Sequence, residues 1–208
     1  MASRRKNKPT NAFPEAAYDA VALASSAGGL AALGAVLSGL PARFPASVLI
    51  VQHLDPRHRS LMADILSRRT VLPVKQAEQG ERLERGTVYI APPNHHLLAN
   101  ADHTVSLTQS ELVHFLRPSA DLLFESVAAS YKDRAVAVVL TGTGSDGSMG
   151  IRGIKKMGGT VIVQDQRTAE FTGMPSAALG TGIADFILPL EEISSALVRL
   201  VIKGGSVE

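Results

Sequence analysis

Ala135-Val136-Ala137-Val138-Val139-Leu140 runs directly into Thr141-Gly142-Thr143-Gly144-Ser145-Asp146-Gly147. The first part is short, continuous in apolar residues and rich in β-branched ones, the pattern of a strand buried on both faces. The second part is a glycine-rich turn that delivers an aspartate. Two other segments repeat the plan. Ala20-Val21-Ala22-Leu23-Ala24 leads into Ser25-Ser26-Ala27-Gly28-Gly29, and Val48-Leu49-Ile50-Val51 leads into Gln52-His53. A helical pattern follows each of them. Strands buried on both faces and alternating with helices predict a parallel sheet, and ligands of such sheets bind beyond the carboxyl ends of the strands. Three strands therefore bring a serine, a histidine and an aspartate to one edge, the composition of a nucleophile, a base and an orienting acid.

The same alternation extends over most of the chain. Strands are expected at Tyr18–Ala24, Ser47–Val51, Val74–Gln76, Ala135–Leu140, Thr160–Gln164 and Phe186–Leu188. Helices are expected at Gly29–Leu40, Arg59–Arg68, Ser119–Tyr131, Ser148–Met157, Ser176–Leu179 and Glu191–Val201. Leu30, Leu33, Val36, Leu37 and Leu40 share one helix face, and Ser119 is a suitable N-cap. In the middle, Thr87–Ala91, His96–Ala99 and Thr104–Thr108 are short runs separated by Pro92-Pro93-Asn94 and Asn100-Ala101-Asp102, which reads as a small antiparallel ribbon. The expected fold is α/β: a doubly wound, mostly parallel, Rossmann-like sheet flanked by helices, with a small antiparallel insertion. Residues 1–17 read as a disordered basic tail or linker, 18–203 as the folded domain and 204–208 as a flexible end.

Bulk properties narrow the function. The 208 residues suffice for one domain with a substantial core. There is no cysteine, which excludes a disulfide framework, a thiolate nucleophile and a cysteine-ligated zinc. That composition fits a cytoplasmic setting. No apolar run reaches the roughly 18 residues of a membrane span. The formal net charge is +2, but Arg4, Arg5, Lys6 and Lys8 all lie ahead of the first strand. Without those four the remainder carries about −2, so the domain lacks the basic face that nucleic-acid binding needs.

Each candidate residue also has a purely structural explanation. Ser26 can cap a helix, with Gly28 and Gly29 packing that helix on its strand. The N–H groups of Ala27, Gly28 and Gly29 at the new helix start can equally stabilise an oxyanion. Ser25 competes with Ser26 as nucleophile, and strand alternation can place only one of them correctly. His53 can be a hydrogen-bonded histidine at a sheet edge, and Asp146 can favour the next helix through its macrodipole. A right-handed crossover places the His53 strand beside the Ser26 strand. His58, His95, His96, His103 and His114 are weaker candidates, and the adjacent His95 and His96 would face opposite sides of a strand. Neither phosphate-binding glycine motif occurs, there is no H-E-x-x-H, and there is no G-x-S-x-G elbow. The order Ser, His, Asp also differs from that of the α/β-hydrolases.

At these segments the chain resembles the catalytic domain of the bacterial chemotaxis protein-glutamate methylesterases, the CheB type. The family pattern Gly-Ala-Ser-x-Gly-Gly stands here as Ala24-Ser25-Ser26-Ala27-Gly28-Gly29. The family's Gln-His matches Gln52-His53, and its Thr-Gly-Met-Gly-x-Asp-Gly matches Thr141 to Gly147 with Thr143 in place of methionine. Tyr89-Ile90-Ala91-Pro92, Arg117 to Phe124 and Gly173-Met174-Pro175 extend the similarity, which runs from about Asp19 to Val201. The resemblance implies Ser26 as nucleophile, His53 as base and Asp146 as acid, with Ala27, Gly28, Gly29 and Thr143 around the oxyanion. It implies hydrolysis of glutamate methyl esters on the cytoplasmic helices of chemoreceptors, deamidation of receptor glutamines, and no metal or organic cofactor. Most family members carry a phosphorylatable receiver domain, which too few residues precede the first strand to supply here. A receiver partner would come from another chain or from a longer chain of which this is a piece. The alternatives are a binding module for a receptor or signalling partner with impaired chemistry, or an esterase for another methylated protein or a small ester.

Overall fold

The structure is a computed structural model, and it describes residues 13–53 and 60–203. The expectations for residues 1–12 and 204–208, and those resting on His58 and Arg59, lie outside the described residues. Chain order runs β1 (Ala20–Ser25), α1 (Gly29–Ser38), β2 (Ser47–Gln52), α2 (Met62–Ser67), β3 (Val74–Gln76), β4 (Val88–Ile90), β5 (His96–Ala99), β6 (Val105–Thr108), α3 (Ala120–Tyr131), β7 (Ala135–Val139), α4 (Gly150–Lys156), β8 (Thr160–Gln164), α5 (Gly173–Gly180), β9 (Phe186–Leu188) and α6 (Leu190–Val201). Seven strands form one sheet in the order β3-β4-β2-β1-β7-β8-β9, and every pairing in it is parallel. The expected doubly wound sheet is present. The chain is anchored before Tyr18, because buried Ala16 pairs with Ile202.

Period-two alternation sorts the strand residues into two cores. Val21, Leu23, Val48, Ile50, Val136 and Val138 face α1, α2 and α6. Ala20, Ala22, Ala24, Ala135 and Ala137 face the side covered by α3 and α4. The alanine row has a physical consequence. Small side chains on the sheet let α3 lie close over β1 and β7, so Leu123, Phe124 and Val127 fill the space from the helix side.

Two local expectations are corrected. Val88–Ile90, the core of the segment read as part of the ribbon, is instead a parallel strand of the main sheet between β2 and β3. All three residues are buried, as a strand covered on both faces requires. Only β5 and β6 form the antiparallel pair, which lies against α3 through Ala99 and the Ser126 and Ser130 hydroxyls. The helix expected at Ser176–Leu179 starts earlier, at Gly173, because Pro175 falls in the first turn, where its missing N–H costs nothing. Among the described residues, no helix is long and apolar enough to cross a membrane.

Candidate active site

β1, β2 and β7 all end at the same sheet edge, since they are parallel neighbours. The register pairs Ser25 with Gln52, so the next residues, Ser26 and His53, leave the sheet side by side. Alternation then separates the two serines. Ser25 shares the parity of Val21 and Leu23, is fully buried, and donates its hydroxyl to Gln52 Oε1 at 2.6 Å. Ser26 is half-buried and lines a depression with Gly28, Leu30, Met62 and Arg69. Gln52 Nε2 donates to the Ser26 carbonyl at 2.7 Å and to the His53 carbonyl at 3.0 Å. One buried amide thus fixes the backbone of both residues. Gly29 makes that possible, because a Cβ there would overlap Gln52 Oε1 and lie 2.7 Å from Ser25 Oγ.

His53 Nε2 donates to Asp146 Oδ2 at 2.8 Å, which leaves Nδ1 as the proton-accepting nitrogen of the neutral ring. In the usual serine triad the carboxylate holds Nδ1, whereas here it holds Nε2. Asp146 is buried and carries a second task. Its Oδ1 accepts from Ser119 Oγ at 3.0 Å and from Asp121 N at 3.1 Å, and its Oδ2 also accepts from Ala120 N at 2.6 Å. The carboxylate therefore sits on the N-terminus of α3, where unpaired N–H groups favour negative charge. Burial works to raise its pKa. The hydrogen bonds from His53, Ala120 N–H and Asp121 N–H outweigh that and hold it below the usual aspartate value.

The remaining turn residues divide. Gly29 N–H donates to the Ser26 carbonyl and is occupied. Among the described residues, the Ala27, Gly28 and Thr143 N–H groups have no acceptor. Gly28 has φ 75°, a left-handed conformation, and a Cβ on it would come within 2.8 Å of Glu170 Oε2. Exposed Thr143 belongs to the turn in which Gly142 packs against Ser26, where a Cβ on Gly142 would lie 2.9 Å from Ser26 Cβ.

Of the weaker histidines described, none joins the His53–Asp146 pair. His95 binds the Pro93 carbonyl, His103 lies against Tyr131, and His114 is exposed. His96 is fully buried. Its Nδ1 accepts from Ser119 N at 3.1 Å, and its Nε2 donates to the Glu111 carbonyl. It thereby supports the residue that supports Asp146. Burial lowers its pKa, so the ring stays neutral. Sequence reasoning missed Ser119, Asp121, Thr141 and Gln164 at this edge. Thr141 Oγ1 ties Ala27 to Phe171, and Gln164 Oε1 accepts from Thr141 N at 2.8 Å. A second cavity opens beside His53, lined by Asn94, Leu112, Phe115, Leu116, Arg117 and Pro118. Arg117 is held in place, donating to Asn94 Oδ1 and to the Gln109 and Ser110 carbonyls. A further cavity, around Asp19, Arg82, Arg85, His103 and Tyr131, lies at the opposite edge, where β1 and β2 begin.

Comparisons with known proteins agree with this arrangement. The family model described as CheB methylesterase matches residues 21–197. The crystal structure of the Thermotoga maritima CheB methylesterase catalytic domain superposes with a TM-score of 0.85 at 38% identity, covering 89% of this chain and 100% of that one. A relative from Leptospira interrogans is 41% identical over 183 residues, 88% of this chain and 95% of its own. The protein-glutamate methylesterase/protein-glutamine glutaminase 1 of Cupriavidus pinatubonensis is 42% identical over 184 residues, and this chain spans only 54% of its length. The match over nearly the whole described sheet, together with the parallel edge that carries Ser26, His53 and Asp146, makes this chain a member of the CheB methylesterase family.

Proposed function

We propose that this chain hydrolyses methyl esters of glutamate side chains on proteins, releasing methanol, and that Ser26, His53 and Asp146 carry the reaction. The observation that carries the reading is the 2.8 Å bond from His53 Nε2 to a buried carboxylate, beside a half-exposed serine at the same strand ends. Ser26 Oγ attacks the ester carbonyl while His53 Nδ1 takes its proton. The tetrahedral oxyanion is met by the free N–H groups of Ala27 and Gly28, with Thr143 N–H as a third donor. Collapse breaks the bond to the methoxy oxygen, which leaves with the proton from His53. Water then attacks the acyl-serine with His53 again as base, and the glutamate carboxylate departs as Ser26 recovers its proton. Asp146 keeps the ring in the tautomer with Nδ1 free and stabilises the imidazolium.

The same steps with an amide in place of the ester release ammonia, which is the glutaminase half of the name that the Cupriavidus relative bears. The chemoreceptor is the proposed protein substrate. A methylated chemoreceptor cytoplasmic fragment, incubated with the chain, should release methanol stoichiometric with ester loss, and a glutamine-bearing fragment should release ammonia. Methanol release from a small methyl ester, with none from the fragment, would refute the protein substrate.

A further inference from the structure

Asp121 is buried in the first turn of α3 and takes no part in the steps above. Its Oδ1 accepts hydrogen bonds from Met149 N at 3.0 Å and Gly150 N at 2.7 Å, the N–H groups that open α4. Asp146 does the converse, accepting from Ala120 N and Asp121 N at the start of α3. Each helix thus lends a carboxylate to the other's N-terminus, directly or through the turn before it. Two backbones meet closely at this point, since a Cβ on Gly150 would lie 2.6 Å from the Asp121 carbonyl oxygen and 2.8 Å from its Cα. Between Asp146 and the pinned Met149 only Gly147 and Ser148 intervene. Asp146 therefore cannot swing away from His53 while Asp121 holds Met149 and Gly150.

The arrangement carries an electrostatic cost. Burial, and next among the raising effects the neighbouring Asp146, push the Asp121 carboxyl above its ordinary pKa. The titratable groups around it are Asp146, with His53 beyond, and His114, whose Nε2 is 3.9 Å from Asp121 Oδ2. An asparagine would cap α4 comparably without that repulsion.

We propose that Asp121 is a positioning residue: by binding the Met149 and Gly150 N–H groups it fixes the turn that aims Asp146 Oδ2 at His53 Nε2. This rests on the triad reading above, and the test separates the two. Methanol release would be measured as kcat and KM for wild type, Asp121→Ala, Asp121→Asn and Asp146→Asn, with melting temperatures alongside. Asp121→Ala should lose ~10- to 100-fold in kcat, the scale of a misplaced catalytic group, at nearly constant KM. Asp121→Asn, which keeps the accepting oxygen, should recover most of the kcat. If Asp121→Ala does not fold, Asp121→Glu keeps the charge and shifts the acceptor by one methylene, and it should show the same kcat loss. A folded Asp121→Ala or Asp121→Glu with wild-type kcat would overturn the proposal, whatever its melting temperature. If that happens while Asp146→Asn loses about 10⁴ in kcat, the triad stands and only the positioning role falls. Less than a tenfold loss in Asp146→Asn would remove the triad and the positioning role together.

Discussion

Ser25 and Ser26 illustrate how much one residue of register decides. They are chemically identical and adjacent, yet Ser25 ends buried on Gln52 while Ser26 meets solvent. Gly29 enforces the difference, because any side chain there displaces Gln52 from Ser25. Gly29→Ala should therefore destabilise the fold by about 1–3 kcal/mol, the usual scale of overpacking. It should also lower kcat, since Gln52 fixes the Ser26 and His53 carbonyls. A denaturant melt and one kinetic assay check both, and unchanged values would mean that the turn relaxes freely. Asp121 gives a pH prediction with a definite sign. Its folded pKa is raised, by burial first, so the folded state holds that proton more tightly than the unfolded chain. The resulting stability is complete below the unfolded aspartate value near 3.9 and is lost as pH rises through the folded value. Asp121→Asn has no such proton to lose. Its melting temperature relative to wild type should rise as pH increases above about 4, and a pH-independent difference would contradict the raised pKa. Asp146, with its lowered pKa, contributes in the opposite sense.

At the scale of elements, α3 is the part on which the site depends most. Its N-terminus holds Asp146, and its body lies close to the sheet because β1 and β7 present alanines. Ala137→Leu should push α3 outward, costing about 1–3 kcal/mol and reducing kcat as the helix start leaves Asp146. A wild-type melting temperature would show that the interface has slack. The sequence was most legible where hydrophobic period and local chemistry agreed. The runs of β1, β2 and β7 read correctly as buried parallel strands, and the Ser119 cap proved to be real, its hydroxyl accepting from Leu122 N. Val88–Ile90 was misread because three residues are too few to show a period, and the ribbon that follows suggested a common origin. The helix at Gly173 was expected only from Ser176 because a proline in a first helical turn and one in a loop are the same letter.

Over the whole molecule, the parallel sheet gathers chain-distant groups at one edge. Ser26, His53, Asp121 and Asp146 come from four segments. The notable buried polar side chains Ser25, Gln52, Ser119, Thr141 and Gln164 cluster with them, and among the described residues none has an unpaired buried polar atom. The strand-end residues could be read from sequence because each announced itself after an apolar run. The supporting shell could not, because Ser119 and Asp121 reach Asp146 through the packing of α3, which no local pattern encodes. Ser26 and His53 each line a depression at this edge, and Phe115, on the rim of the one beside His53, is 93% exposed. The central claim concerns which serine reacts and on what. Methanol release from a methylated chemoreceptor fragment, measured for wild type, Ser26→Ala and Ser25→Ala together, tests it most directly. The account predicts loss of nearly all turnover in a folded Ser26→Ala, with Ser25→Ala retaining at least about a tenth of wild-type kcat, since it loses only support. Turnover in Ser26→Ala at the wild-type rate, or its loss in Ser25→Ala alone, would contradict it.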